Sequence, residues 1–548
     1  MITNYQIADV FELLSKLMDI HGENAFKSKS YAAAAFQIEK LPLQLAETDP
    51  NRIAGLKGIG ESTAQKIKEI LQTGSLQVLN DLVARTPSGI LEMLSIKGLG
   101  PKKIATIWKE MEIESIGELL YACRENRLML FKGFGQKTQQ NVAEAISFYL
   151  QHKDIHLYAD VESYALSIHK TLEQQFPNAA WHSTGAFRRQ LEIIPELEWV
   201  TTLSPSELQP FFEANNFTTQ ENTTTRYACK GPENVLLRFH CTVPETLGST
   251  LFTTSCSESF LEEWGISAPA ATEAEVFIQR GRPFLPPYLR EIPGSNPVEN
   301  ILEPNDIRGI IHCHSNWSDG SNTVEELVGE AQRRGLEYLV LSDHSRSAFY
   351  ANGLSAERVL QQHLHVNELN GRLKGFRIFK SIESDILNDG SLDYDDELLA
   401  QFDLVIASVH SNLKMTEEKA MQRLMRAIEN PYTTILGHPT GRLLLSRSGY
   451  PLDHRTIIDA CAVNLVAIEI NAHPRRLDLD WRWVSYALEK GVYLSVNPDA
   501  HALSGFDDTR FGVLAAQKGG LTPDRNLSSF TLVKLEQYLL DVRKEKGI

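Results

Sequence analysis

The chain has 548 residues, room for three to five domains at roughly 100–200 residues each, and it is 42% hydrophobic and 23% charged, as water-soluble folded proteins are. No apolar run nears the ~20 residues that span a bilayer. The start, "MITNYQIADVFELL", lacks the basic and apolar segments of a secretion signal, and the six scattered cysteines form no CxxC pair. No membrane-spanning helix is therefore expected, and reduced thiols in a cytoplasm are favoured over a disulfide framework. The net charge of −16 is uneven: residues 1–150 carry 17 Lys+Arg against 17 Asp+Glu, and the remainder 37 against 53. A strongly basic nucleic-acid surface is thus absent, while the acidic part is rich in carboxylates able to serve metal ions.

Residues 1–150 read as all-helical, with apolar positions recurring at three and four, as in "VFELLSKLMDI". Three glycine turns interrupt them: "GLKGIGEST" (55–63), "SIKGLGPKK" (95–103) and "LFKGFGQKT" (130–138). Each pairs two glycines around an apolar residue (Gly58 and Gly60, Gly98 and Gly100, Gly133 and Gly135) and runs into a helix. Such a turn lets a phosphate approach the backbone, and N–H groups at the following helix start can bind it. The contact is to backbone, so the expected partner is DNA bound without sequence preference.

From about 151 to 285 the texture becomes mixed α+β, with alternating segments such as "NVLLRFHCTV". Residues 289–306, rich in proline and polar residues, read as an extended linker. From 307 onward short apolar strands alternate with helices, the pattern of a largely parallel sheet or barrel. The strand ends carry His312 and His314, His344, Glu383, His410, His438, and Asp499 with His501; Asp319 follows the first strand. Ligands gather at such ends in α/β folds. In H-x-H both imidazoles face one side of the strand. Imidazole plus carboxylate suits Mn²⁺, Zn²⁺ or Fe²⁺, and nine ligands exceed what one ion takes. Two or three divalent ions with a bridging carboxylate are expected, an arrangement that activates water and clamps phosphate.

The stretches "HCHSNWSDG", "SDHSRS", "ESDIL", "IASVHS", "GHPTGRLL", "EINAHPRRLDL" and "NPDAH" resemble the PHP (polymerase and histidinol phosphatase) domain fused to bacterial family X DNA polymerases. The resemblance implies a (β/α)7 barrel with a trinuclear site. His312, His314, Glu383 and Asp499 would hold one ion, and Glu383 would bridge to a second held with His410 and His438. Asp319, His344 and His501 would hold the third. Arg442 in "GHPTGR" is a phosphate-clamp candidate. The glycine turns resemble helix-hairpin-helix motifs, and residues 1–285 resemble the polymerase half of the family, with Lys66 at the position of its Schiff-base lysine.

The polymerase palm departs from the family's pattern. Where the family has G-S-x-R-R and a D-h-D pair, this chain reads "GAFRRQLEIIPELEW": Gly185, Arg188 and Arg189 stay, Ser becomes Ala186, and the acids become Glu196 and Glu198. Leu236 stands where the third Asp is expected, and the T-G-S turn reads Thr253-Thr254-Ser255. The two glutamates read as a solvated strand edge.

The expected organisation is a lyase-like helical subdomain (1–80), a fingers-like one (81–150), a degenerate palm and thumb (151–288), the linker (289–306) and the barrel (307–548). The expected function is metal-dependent DNA phosphodiester hydrolysis in repair, as a 3′→5′ exonuclease or abasic-site endonuclease, without polymerisation. A small-molecule phosphatase, a non-catalytic DNA scaffold and a still active polymerase are the alternatives. Oligomeric state is not legible.

Overall fold

Residues 2, 4–39, 41, 43–56, 59–150, 155–265 and 267–548 are described by the computed structural model. The chain divides into two compact units, Met1–Cys123 with Phe131–Tyr149, and Arg124–Leu130 with Leu150–Ile548. This is a coarser grouping than the five segments read from sequence, because the middle region and the C-terminal barrel share one unit.

The first unit is helical: α1 (Asn4–His21), α2 (Ala25–Glu39), α3 (Glu61–Thr73), α4 (Gln77–Ala84), α5 (Ser88–Met93), α6 (Pro101–Lys109), α7 (Ile116–Arg124) and α8 (Gln136–Leu150). Ile7, Phe11, Leu14 and Leu17 of α1 recur every three or four residues and are fully buried, which places one stripe of the helix in the core. Gly60 and Gly100 are the N-caps of α3 and α6. Gly98 and Gly133 hold φ of 92° and 94°, a left-handed backbone that glycine adopts without the Cβ penalty. A Cβ built on Gly60, Gly98, Gly100, Gly133 or Gly135 would meet nothing within 4 Å, so each turn has open space beside its backbone. Gly58 lies outside the described residues.

In the second unit, strands β1 (His156–Leu157) and β3 (Ile193–Ile194) form a small ribbon. β2 (Trp181–Thr184), β4 (Leu197–Thr201), β5 (Thr218–Asn222), β6 (Arg226–Lys230) and β7 (Leu236–Cys241) form a sheet ordered β2-β4-β7-β6-β5. Its core is aromatic: Trp199 stacks on Phe239 at 5.5 Å, and Phe212 lies 5.0 Å from Phe239. Beyond it Phe252, Phe260, Trp264 and Phe277 form a second aromatic cluster. Arg290 is fully buried beside that cluster, its guanidinium 5.0 Å from the Phe277 ring and 2.6 Å from Glu273 Oε1.

The expected linker is not a free spacer. Leu302 is fully buried, its N–H donates to the Leu521 carbonyl at 2.9 Å, and its own carbonyl accepts from Gln517 at 2.8 Å. The segment runs through bends and turns into a 3-10 turn at Pro304–Asp306, and one leucine with a core to enter pins it down.

The barrel is built from β8 (Gly309–Cys313), β9 (Tyr338–Leu341), β10 (Arg377–Asp385), β11 (Leu404–Ser408), β12 (Thr433–Leu436), β13 (Ala467–Asn471) and β14 (Leu494–Asn497). They pair in sequence order, all parallel. A bridge between Cys313 and Ala500 brings the first strand to the last, with His314 N–H donating to the Ala500 carbonyl at 2.9 Å. Helices cover these strands, so "YLVL", "LVIAS" and "TTIL" are buried along their whole length, as parallel strands are. The barrel and the middle region are tied directly: Trp481 Nε1 donates to Glu192 at 3.2 Å and Lys518 Nζ to the Arg189 carbonyl at 2.8 Å.

Glu273 joins Arg188 and Arg290 at 2.8 and 2.6 Å. Burial alone would raise its carboxyl, but the two guanidinium hydrogen bonds outweigh burial and hold it below its ordinary 4.5. Removing one partner of a buried charge pair costs about 3–5 kcal/mol, so Arg290→Ala is expected to lower the urea midpoint of the second unit. A depressed carboxyl stabilises the fold above its ordinary pKa and loses that contribution as pH falls through its folded value. The gap between wild type and Arg290→Ala should therefore narrow below about pH 4.5, read from urea midpoints at several pH values.

Candidate metal centre

All nine ligand candidates meet at the carboxyl end of the barrel. His312, His314 and Glu383 are fully buried, Asp319, His344, His438, Asp499 and His501 are buried, and His410 is half-buried. The turn to the centre is made by unusual backbone: the β8–β9 register shifts between Ile310 and Cys313, and His312 and Asp499 hold φ of 65° and 52°. Left-handed conformations at non-glycine residues cost of order 1–3 kcal/mol and cluster at functional sites.

Glu383 is the hub. Its Oε1 lies 3.2 Å from His312 Nε2, 3.0 Å from His410 Nε2 and 3.0 Å from His438 Nε2. Its Oε2 lies 3.0 Å from His344 Nδ1 and 3.7 Å from His314 Nε2. Asp499 Oδ1 adds contacts to His312 and His314 at 3.3 and 3.0 Å. Asp319 faces His344 and His501 at 3.5 Å each, and His314 at 3.9 Å.

Three overlapping ligand sets form among these candidates: His312, His314, Glu383 and Asp499; His314, Asp319, His344 and His501; and His344, Glu383 and His410; a fourth joins Asp499 and His501 to Glu125, which the sequence did not single out. His314 and His344 thus each belong to two sets, where the sequence assigned each to one. His438 stands against Glu383 but outside the third set.

The residues fit divalent ions. Among the described residues, His312 Nε2, His314 Nδ1, Asp319 Oδ2, His344 Nδ1, Glu383 Oε2 and His501 Nε2 are buried without hydrogen-bond partners, an expensive condition that a coordinated cation relieves. Electrostatics agree. Burial would raise Glu383, but His410, His312 and His344 outweigh it and hold the carboxylate ionised. Burial would lower His410 and His501, yet Glu383 and Asp385 push the first, and Glu125 and Asp319 the second, to about 10. Such a field attracts positive charge of any kind. Burial, His501 and His344 lower His314 to about 3, keeping its ring neutral with a lone pair to donate.

A second tier of residues was quoted in the sequence motifs but given no role there. Glu469 accepts from His312 Nδ1 at 2.6 Å and from the His438 N–H at 3.2 Å. Asp385 holds His410 Nδ1 at 2.5 Å. Asp343 accepts from Ser315, Ser318 and Gln362 beneath the loop that carries Asp319. Arg442 is committed elsewhere, to Asp480 and the Arg476 and Leu477 carbonyls, so it is engaged within the barrel's own loops and not turned to the centre.

In the middle region the glutamates are not a solvated edge: β4 is interior, between β2 and β7. Glu196 pairs with Arg238 at 2.8 Å, and Glu198 with His240 at 2.9 Å. Arg238 also bonds Glu221, and burial, then the Glu198 charge, raises Glu196. Glu198 also fills the space beside Gly185, whose added Cβ would lie 1.8 Å from its Oε1. Leu236 begins β7 and Ala186 is buried. Thr254 bonds Thr184 at 2.6 Å. In the first unit Lys66 lies on α3, its Nζ 5.6 Å from the Tyr31 ring.

Residues 2–76 match the family described as Helix-hairpin-helix domain, and residues 90–147 the SAM-like Helix-hairpin-helix tandem. The chain is 32% identical to the DNA polymerase/3′-5′ exonuclease PolX of Bacillus subtilis over 97% of its own length and 98% of that protein. It is 26% identical to a probable phosphatase of Thermoanaerobacter sp. over 43% of its own length and 96% of that protein. A probable phosphatase of Caldanaerobacter subterraneus matches at 28% over 43% of the chain and 92% of its own length. With helix-hairpin-helix matches at its start and a seven-stranded parallel barrel at its end, the chain belongs to the PolX family of family X DNA polymerases that carry a PHP domain.

Proposed function

We propose that this protein is a metal-dependent DNA phosphodiesterase of repair, acting as a 3′→5′ exonuclease or at abasic sites, with the barrel as catalyst. One observation carries the reading: nine imidazole and carboxylate side chains gather at the carboxyl end of the barrel, five of the imidazoles against Glu383, with buried, unpartnered polar atoms among them. Two or three Mn²⁺, Zn²⁺ or Fe²⁺ ions bound there would lower the pKa of a water and screen phosphate charge. The chain supplies the rest. Glu469 and Asp385 fix the rings of His312 and His410 so that each turns Nε2 inward. Burial excludes bulk water and strengthens every charge–charge contact within. The open glycine turns of the first unit would hold DNA through phosphates without reading bases. No helix among the described residues is long and apolar enough to cross a membrane, and the six cysteines form no disulfide; both fit a cytoplasmic enzyme.

Polymerisation is proposed to be lost. Nucleotidyl transfer needs carboxylates free to hold two ions. Here Arg238 and His240 already engage Glu196 and Glu198, and Leu236 brings no third carboxylate. A small-molecule phosphatase is the second reading, favoured by the probable phosphatases that align with 43% of the chain; the helix-hairpin-helix matches favour DNA.

His344→Ala and Asp499→Ala are each expected to lower Mn²⁺-supported cleavage of a 3′-recessed strand roughly a thousandfold or more, since such residues act as a unit, while DNA binding stays. Undiminished cleavage in either variant contradicts the assignment, and hydrolysis of a phosphomonoester but not of DNA supports the phosphatase. Chelation with EDTA should abolish cleavage and Mn²⁺ should restore it. Primer extension by an Asp499→Ala protein, whose product cannot be degraded, should give no product; extension that disappears on adding Glu196→Ala contradicts the loss of polymerisation. Lys66 is proposed as an abasic-site nucleophile, tested by borohydride trapping: an adduct in wild type and none in Lys66→Ala is expected, and equal trapping in both rejects it.

A further inference from the structure

Three of the ligand histidines have a carboxylate on the ring nitrogen turned away from the centre. For His312 it is Glu469, 2.6 Å from Nδ1, and for His410 it is Asp385, 2.5 Å from Nδ1. Both carboxylates lie on barrel strands. For His501 it is Glu125, 3.6 Å from Nδ1, and Glu125 comes from Arg124–Leu130, the short segment that the second unit takes from far earlier in the sequence.

The chemistry of His501 decides what Glu125 does. His501 Nδ1 lies 3.0 Å from the main-chain carbonyl oxygen of Asp499. A carbonyl only accepts, so Nδ1 carries a hydrogen, and Nε2 is the nitrogen that gives up its proton and offers a lone pair when an ion binds. That Nε2 is buried without a hydrogen-bond partner and lies 3.5 Å from Asp319. Glu125, Asp499 and His501 do fall within ligand distance of one another. Glu125 nevertheless faces the N–H side of the ring, where no lone pair remains for an ion. Its action is on the histidine.

The next two residues anchor the same end of the centre. Asn126 takes a left-handed conformation, φ 55°, which asparagine tolerates better than most side chains. Its amide donates to the Asp319 carbonyl at 3.2 Å and to Ser321 Oγ at 2.8 Å. The Arg127 guanidinium lies over the Tyr350 ring at 4.4 Å, and that ring is 6.5 Å from His344. Glu125, Asn126 and Arg127 thus reach His501, the loop of Asp319 and the aromatic neighbour of His344 in turn.

We infer that Glu125 is a positioning residue for the ion site of Asp319, His344 and His501, its carboxylate orienting the His501 ring and strengthening Nε2 as a donor. The inference rests on the reading of the barrel as a metal centre. Glu469 and Asp385 belong to the barrel strands, so the ligand sets that contain His312 and His410 are supported from within the barrel. The set containing His501 is completed by a segment outside it.

The test is calorimetric titration of the metal-free full chain with Mn²⁺, for wild type, Glu125→Ala, Glu125→Gln and Asp319→Ala. Losing a carboxylate behind a ligand histidine costs about 10–100-fold in metal affinity. Glu125→Ala should weaken one class of sites by that factor and leave the others unchanged. Glu125→Gln keeps an acceptor opposite Nδ1 and should recover part of the loss, which a merely space-filling role would not predict. Asp319→Ala should weaken the same class. If Glu125→Ala titrates as wild type while Asp319→Ala loses a class, the role of Glu125 is overturned and the metal centre stands. If wild type takes up no Mn²⁺, both fall. Should Glu125→Ala fail to fold by circular dichroism, Glu125→Gln carries the test: about a tenfold loss is expected, and no loss overturns the inference.

Discussion

A fully buried carboxylate within 3.0–3.7 Å of five imidazole rings organises this molecule. Glu383 is tolerable in the barrel only because positive charge surrounds it, whether as protonated histidine or as metal. The rest of the C-terminal architecture serves that demand. Six of the seven parallel strands deliver the ligand side chains to one end of the barrel, β13 supplies the supporting Glu469, and the chain accepts left-handed backbone at His312 and Asp499 to do so. Outer carboxylates then orient the rings that face the hub.

The middle region shows the opposite outcome from similar residue types. Glu196 and Glu198 are also paired acids at a sheet, but each has acquired its own partner from the adjoining strand β7, Arg238 for the first and His240 for the second. Charges neutralised within the protein have little left to offer an ion. The sheet keeps its aromatic core and its ties to the barrel through Glu192 and Arg189, so the region stays a folded support for what surrounds it. One chain thus holds an electrostatically open centre and an electrostatically closed one.

Much of the barrel was legible from sequence, for a physical reason. Ligand chemistry restricts residue type, parallel strands restrict spacing, and both leave marks such as H-x-H and D-x-H. The supporting groups left weaker marks. Glu469 and Asp385 sat inside quoted motifs, yet their roles depend on which ring nitrogen of His312 and His410 faces inward, and only geometry gives that. Arg238 and His240 were invisible as neutralising partners because strand register sets who faces whom. Leu302 made a packed segment of an expected spacer through one side chain. Glu125 carried no signal at all, lying just past the end of α7 in a stretch with the composition of ordinary surface.

The account stands on the ions that Glu383 and its neighbours are held to bind. Anomalous diffraction from crystals of the full chain grown with Mn²⁺ tests it most directly. Two or three peaks are predicted at the barrel's carboxyl end, one between His312, His314, Glu383 and Asp499 and another against Asp319, His344 and His501. Crystals with no peak there, or with Mn²⁺ bound at Glu196 and Glu198 instead, would contradict it.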